Sequence, residues 1–314
     1  MSETVHLKIQ QFGPISDIDI VFNKYTVLIG KQGAGKSTIA KLYSMFTWLE
    51  KGLARRTVSD KYITQFSRFQ KNYCTYHRLD SYFKTNTIIK FYGLHYNFFY
   101  EEGKLQIEEI EHQENYNVAK VMYVPAERFF LSTVDNPMNL KNLPESLKTF
   151  LDEFENAKIV LKAGYHLPFN NIAFEYDAQH KISWIKGEDY KIRLSDASSG
   201  YQSVIPLTLV TKFLSDLVQD NANKEELDFQ ERKQIEKEVN KVMNDKTLTE
   251  EVKFAMLRTI SSRFKYSRFV NIVEEMEENL YPESQISILF DLLDYTNSCL
   301  LYTSPSPRDA HESR

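Results

Sequence analysis

The sequence predicts an α/β fold on three observations. Strand-like runs open the chain, a glycine-rich loop with an amphipathic helix follows, and further alternating strands give way to charged helices. Of the 314 residues, 42% are hydrophobic and 13% aromatic, enough to build a substantial core and to exclude a disordered chain. The length suits one large domain or two ordinary ones.

The net charge of −4 conceals an asymmetry. Residues 1–100 hold 14 Lys or Arg against 6 Asp or Glu, and the rest of the chain 25 against 37. The N-terminal third is therefore basic and the remainder acidic. Cys74 and Cys299 are the two cysteines, too few for a disulfide framework or a zinc constellation, so a reducing cytoplasmic setting is expected. No signal-like N-terminus and no bilayer-length apolar run is present, and no membrane partner is expected.

In chain order, "VHLKI" and "KYTVLI" read as strands on either side of "QQFGPISDIDIVF". There Gly13 and Pro14 mark a turn before an alternating strand. The second run feeds the glycine-rich loop. Behind it, Ile39, Leu42, Tyr43, Phe46 and Leu49 recur with helical spacing and form a stripe that packs on a sheet.

Residues 51–92 hold nine Lys or Arg and two Asp, interleaved with aromatics that include Tyr62, Phe66, Phe69, Tyr73 and Phe83. A helical insertion is expected near 51–90. Residues 87–110 return to strand character, with "EEG" as a hairpin turn. A short strand, "KVMYV", precedes Pro125, and Pro137–Leu161 reads as mostly helical. "IAFEYDAQHKISWIKGEDYKIRL" reads as a meander broken at "DAQ" and "KGED". A second helical insertion, a strongly polar hairpin or lid, is expected near 213–263. No internal repeat is visible.

The stretch "GKQGAGKST" fits G-x-x-x-x-G-K-[ST] between a strand-like run and a helix, the context that the phosphate-binding P-loop requires. Glycines at 30, 33 and 35 let successive N–H groups turn inward, and the helix behind them presents its positive end. Gly30, Lys31, Gln32, Gly33, Ala34, Gly35, Lys36, Ser37 and Thr38 are thus expected to hold a nucleotide. Lys36 would reach the β- and γ-phosphates, and Ser37 would ligate Mg²⁺. The loop alone leaves a kinase, a GTPase and an ATP-driven machine open, although no base-reading "NKxD" occurs.

Two later segments narrow the choice. "RLSDASSGYQSVIPL" puts Ser198, Ser199, Gly200, Tyr201 and Gln202 between a strand and an apolar helix, a second anion-binding helix start. "RFVNIVEEMEENLYPESQ" gives an apolar strand, Phe269–Val273, ending in Glu274 and Glu275, then a loop and a helix opened by Pro282. A carboxylate pair at a strand end suits metal binding and activation of water.

Ser199-Gly200-Tyr201-Gln202 resembles the S-G-G-Q core of the ABC signature, as varied in the RecF, SMC and OLD (overcoming lysogenization defect) group of ATPases. In that group the carboxylate pair is followed by "NLxPxxQ", which Asn279, Leu280, Pro282 and Gln285 match, while Met276 replaces a usual proline. "YVPAERFFLS" is similar to the "PAER" segment of OLD-like ATPases.

The resemblance implies an α/β P-loop NTPase with an ABC-type head, a mixed β-sheet flanked by helices, and a helical lobe. It implies ATP and Mg²⁺ as cofactors, and a homodimer that sandwiches ATP between the P-loop of one chain and Ser199, Gly200 and Gln202 of another. Glu274 would stand beside Mg²⁺, and Glu275 would orient or deprotonate the attacking water. Glu127 and Arg128 would sense nucleotide, with a structural ion pair as the alternative for Arg128. The implied setting is DNA repair or anti-phage defence, with a nuclease fused downstream or supplied separately.

The group's switch histidine follows a further strand, and no such strand underlies His311. "CLLYTSPSPRDAHESR" looks instead like a translated sequencing-library adapter. The expectation is an ATPase domain over 1–297, cut short at its C-terminal end, with an artefactual or disordered tail over 298–314; a natural flexible tail is the alternative. Three further readings stay open. One is a nucleotide-gated DNA clamp, suggested by the basic aromatic stretch from Lys51 to Lys90. Another is a regulatory subunit of a separate nuclease. The third, a small-molecule kinase, is disfavoured by "SSGYQS".

Overall fold

The computed structural model describes residues 4–55, 57–110, 119–222, 229–261 and 266–298. Cys299 to Arg314, with His311, lie outside the described residues, as do residues 223–228 of the polar segment. The first half comprises β1 (Val5–Phe12), β2 (Ile15–Phe22), α1 (Lys36–Ala54), α2 (Asp60–Ile63), β3 (Phe83–Tyr92), β4 (Tyr96–Glu101), β5 (Lys104–Glu109) and β6 (Ala119–Val124). Next come α3 (Phe130–Thr133), α4 (Glu145–Val160), β7 (Tyr165–His166), β8 (Ala173–Asp177), β9 (Ile182–Lys186) and β10 (Lys191–Arg193). The last part holds α5 (Ser199–Ala222), α6 (Phe229–Asn244), α7 (Glu250–Ser261), β11 (Arg268–Val273) and α8 (Pro282–Ser298).

The described residues fall into two compact units. The first draws on Met1–Tyr123, Pro144–Ser146 and Glu225–Lys265, the second on Val124–Leu143, Leu147–Lys224 and Tyr266–Arg314.

The first unit is built on an antiparallel sheet of order β2-β1-β3-β4-β5. Strand β1 is central, so its alternate residues Val5, Leu7 and Ile9 are buried. Gly13 makes the β1–β2 turn at φ +52°, and Glu102 and Gly103, both at positive φ, make the β4–β5 hairpin, as "GP" and "EEG" predict.

Helix α1 lays its expected stripe on this sheet. The Phe46 ring lies 5.0 Å from Phe91 and 5.3 Å from Phe98, and Tyr43 stacks on Phe22 at 4.1 Å. Near its C-terminus, the buried carboxylate of Glu50 accepts the N–H groups of Leu94, His95 and Tyr96 at 2.6, 2.7 and 3.2 Å. This fixes the helix to the β3–β4 turn. Gly93 is required there, because a Cβ would stand 2.3 Å from Glu50 Oε1.

Two expectations are corrected in this unit. The run "KYTVLI" is not a strand: residues 26–31 are irregular, with Val27 and Ile29 76% and 91% exposed. Its β-branched residues favour extended backbone, but a strand also needs a ladder partner for its N–H and C=O groups. The Asn23–Thr26 turn, closed by Thr26 Oγ1 bonds to the Asn23 N–H and carbonyl, redirects the chain after β2.

In place of the expected helical insertion, the end of α1 runs to Ala54, only short helical segments occupy 60–82, and from Phe83 β3 joins the sheet. Phe69 and Tyr73 are core residues, whereas Phe66 is 90% exposed. Over the second expected insertion, α6 and α7 pair around Ile235, Val239, Val242 and Ile260, and Phe254 of α7 stacks on Trp48 of α1.

The second unit carries the antiparallel sheet β10-β9-β8-β7, the predicted meander. Helix α5 is apolar on nearly all sides, burying Val204, Ile205, Leu207, Leu209, Val210 and Leu214, as expected of a helix at the centre of a core. Helix α8 buries only part of its apolar surface. Ile288 and Leu292 are buried while Ile286 and Phe290 are more than half exposed, and Tyr165 donates to Asp291 Oδ2 at 3.2 Å. The polar partner for Asp291 selects that face, which a hydrophobic stripe alone does not reveal.

The α/β class therefore holds. A mixed sheet is expected from the P-loop resemblance, but both of these sheets are antiparallel throughout. Among the described residues no helix is long and apolar enough to cross a membrane.

Candidate nucleotide site

The glycine-rich loop belongs to the first unit. Gly33 and Gly35 adopt φ of +76° and +94°, left-handed backbone that only glycine adopts without strain. At Gly35 space is limiting too, since a Cβ would come 2.6 Å from Ile15 Cγ1. Gly30 has no such requirement; a Cβ there makes ordinary contact with Ala34.

Helix α1 starts at Lys36 with no side-chain cap and no acidic residue in its first turn. Its leading N–H groups are thus left for an anion, reinforced by the helix dipole. Lys36 Nζ donates to the carbonyls of Gly30 and Lys31 at 2.8 and 3.0 Å, closing the loop on itself without pairing with a carboxylate. Lys31, Gln32, Gly33, Ala34 and Ser37 are exposed, whereas Thr38 is buried.

The signature-like segment and the carboxylate pair belong to the second unit, where they meet. Ser199 is the exposed first residue of α5. Gly200 lies against the turn after β11, where a Cβ would stand 2.8 Å from the Asn279 carbonyl oxygen. Tyr201, in place of the second signature glycine, stacks on Phe169 with ring centroids 6.1 Å apart and accepts a bond from Asn170 Nδ2. Gln202 is buried, and its amide donates to the carbonyls of Leu194 and Ser195 at 3.3 and 2.8 Å. It braces the loop that precedes α5.

Strand β11 ends at Val273, and the Glu274 N–H donates to the Val124 carbonyl at 3.0 Å. Glu275 follows at φ +44°, a left-handed conformation costing a non-glycine residue about 1–2 kcal/mol. Its carbonyl accepts the Glu278 N–H at 3.0 Å in the turn that leads to Pro282 and α8.

Arg128, in the "PAER" segment, is completely buried. Its guanidinium donates to the carbonyls of Pro125, Glu274, Glu275 and Ser203. Of the two expectations for it, the structural ion pair is not the contact formed, since backbone carbonyls take these bonds. Burial lowers its pKa, opposed by Glu278, Glu275, Glu277 and Glu274 nearby. The same burial raises the Glu278 carboxyl above its ordinary range. Sequence reasoning passed over Glu278; its signal was the third and fourth acids in "EEMEEN", which look like ordinary solvated turn residues.

Magnesium prefers hard oxygen ligands, and each unit, taken by itself, offers one of the expected kind. Ser37 places a hydroxyl in the first turn of α1, and Glu274 Oε1 is a buried carboxylate oxygen with no hydrogen-bond partner among the described residues. No group of three or more His, Cys, Asp or Glu side chains able to hold a metal ion gathers among the described residues. No protein-family model matches the sequence, and no curated protein matches it.

Proposed function

We propose that the chain is an ATP-binding and ATP-hydrolysing P-loop protein, the head of an OLD, RecF or SMC-like ATPase, acting as an ATP-sandwiched homodimer in DNA repair or anti-phage defence. The observation that carries this reading is the start of α1. An uncapped helix N-terminus follows two left-handed glycines, with a lysine ammonium that bonds only to its own loop's carbonyls. That arrangement offers directed N–H groups and a mobile positive charge to a triphosphate.

Lys36 leaves its two carbonyls for the β- and γ-phosphate oxygens. Ser37 would ligate Mg²⁺, with Glu274 as the carboxylate expected beside the ion, and the metal would supply neutralisation of phosphate charge. Glu275 takes up the proton of the attacking water or orients that water in line with the γ-phosphate. Ser199, with the Gly200 N–H at the α5 start, meets the γ-phosphate bound to a second chain. A DNA path along residues 51–90 gains little support, because Phe69 and Tyr73 of that stretch are core residues.

Calorimetric ATP titration together with phosphate release tests this reading. Parent chain binds Mg·ATP, Lys36→Ala loses binding by at least about tenfold, and Glu275→Gln binds ATP but turns it over at least about a hundredfold more slowly. Equal ATP affinity in parent and Lys36→Ala would sink the P-loop assignment.

A further inference from the structure

We propose that Arg128 is a positioning residue whose guanidinium ties the turn carrying Glu274 and Glu275 to Ser203 near the start of α5, and so aims the Glu275 carboxylate. The chemical part of this inference rests on the ATPase reading above. Its architectural part rests on geometry alone.

The guanidinium is a rigid planar fork with five N–H donors, and four of them are committed here. Nη1 donates to Pro125 O at 3.2 Å and Glu274 O at 2.6 Å, Nη2 to Glu275 O at 2.7 Å, and Nε to Ser203 O at 3.2 Å. Three segments distant in sequence thereby share one cation. Burying a charge in such a site is costly, and four carbonyl dipoles and the surrounding carboxylates offset that cost.

The choice of acceptors matters chemically. A salt bridge would occupy the carboxylate oxygens of Glu274 and Glu275 and reduce their basicity. Bonding to the carbonyls holds the same two residues while leaving their carboxylate oxygens for metal and water. The left-handed backbone of Glu275 needs such a restraint, since its neighbours in φ and ψ are lower in energy. A second link runs beside the first, because Gly200 brings the α5 backbone against the Asn279 carbonyl. Pro206 lacks the N–H that would bond the Gln202 carbonyl, which loosens α5 one residue from the carbonyl that Arg128 holds. A displacement of the α5 start by a ligand at Ser199 is therefore transmitted to Glu275.

Arg128→Lys in the full chain is the test, because lysine keeps the charge but cannot hold four carbonyls in one plane. Amide hydrogen exchange is expected to accelerate about tenfold in peptides covering 274–280 and 199–206, while peptides from β1 and β3 stay unchanged. Unchanged exchange over 274–280 overturns the clamp, whatever the chain does with ATP.

In the second arm, Arg128→Lys lowers kcat with little change in KM, and adds no further loss in a Glu275→Gln background. Additive losses overturn the link through Glu275. A parent chain without ATP turnover refutes the ATPase reading instead, and the exchange arm still decides the clamp. Glu275→Gly supplies a check that leaves Arg128 in place: release of the held left-handed strain raises Tm, and a lowered Tm contradicts that strain.

Discussion

His77 carries the clearest titration consequence of any single residue. Its ring is buried against Tyr123 and Tyr76, and burial, with a smaller contribution from Lys41, lowers its pKa to about 3. The folded protein therefore keeps this ring neutral, while the unfolded chain protonates it near pH 6.5. Between these values the unfolded state binds the extra proton. Stability is full above about pH 6.5 and falls as the pH drops toward 3, by up to roughly 1.4 kcal/mol per pH unit. Urea unfolding of parent and His77→Gln between pH 7 and pH 4 checks this: the variant loses that part of the slope, and identical slopes contradict the assignment.

The turn geometry of the glycine-rich loop was legible in sequence, with Gly33 and Gly35 at positive φ ahead of α1. Lys36 and its glycines announce themselves because a backbone that must bend and a charge that must reach leave few alternatives. Arg128 does not, since its role depends on carbonyls from three distant segments, and carbonyls are common to every residue. His77 is equally silent, because a histidine in a charged stretch carries no mark of its later burial.

Among the elements, the contact between α5 and the turn after β11 is the most sensitive. Gly200 gives way to nothing there, as a Cβ would meet the Asn279 backbone oxygen at 2.8 Å. Gly200→Ala is expected to push the turn away, to destabilise by about 1–3 kcal/mol as overpacking does, and to slow ATP turnover more than it weakens ATP binding. Thermal unfolding and steady-state kinetics on the same preparations check this. A variant with parental Tm and kcat contradicts the close approach.

Elements were legible where a local pattern suffices. The β4–β5 hairpin, the β8–β10 meander and the α1 stripe all follow from alternation, helical period and turn residues. The run at 26–31 and the inward face of α8 did not, for a common reason. A strand requires a partner and a helix face requires a neighbour, and neither is written in the segment itself. Val27 and Ile29 fit a strand by composition yet stand exposed, and Asp291 turns inward because Tyr165 offers it a hydroxyl.

At the scale of the molecule, the chain is an α/β protein of two compact units. One carries the glycine-rich loop, and the other carries the signature-like helix start together with the acidic turn. The acidic turn and the helix start form one assembly through Arg128 and Gly200, a relation that the sequence order only hinted at. Exposure of Ser199 at the leading end of α5 suits an encounter with phosphate bound to a second copy. In the proposed function, ATP bound at Lys36 of one chain is completed by Ser199 of another. Sedimentation analysis of full-chain Glu275→Gln with and without Mg·ATP tests it most directly. The expected outcome is a single-chain mass without nucleotide, a doubled mass with ATP, and no doubling when Ser199→Arg is added. A single-chain mass at ATP concentrations that saturate Lys36, or a dimer indifferent to ATP and to Ser199→Arg, would contradict it.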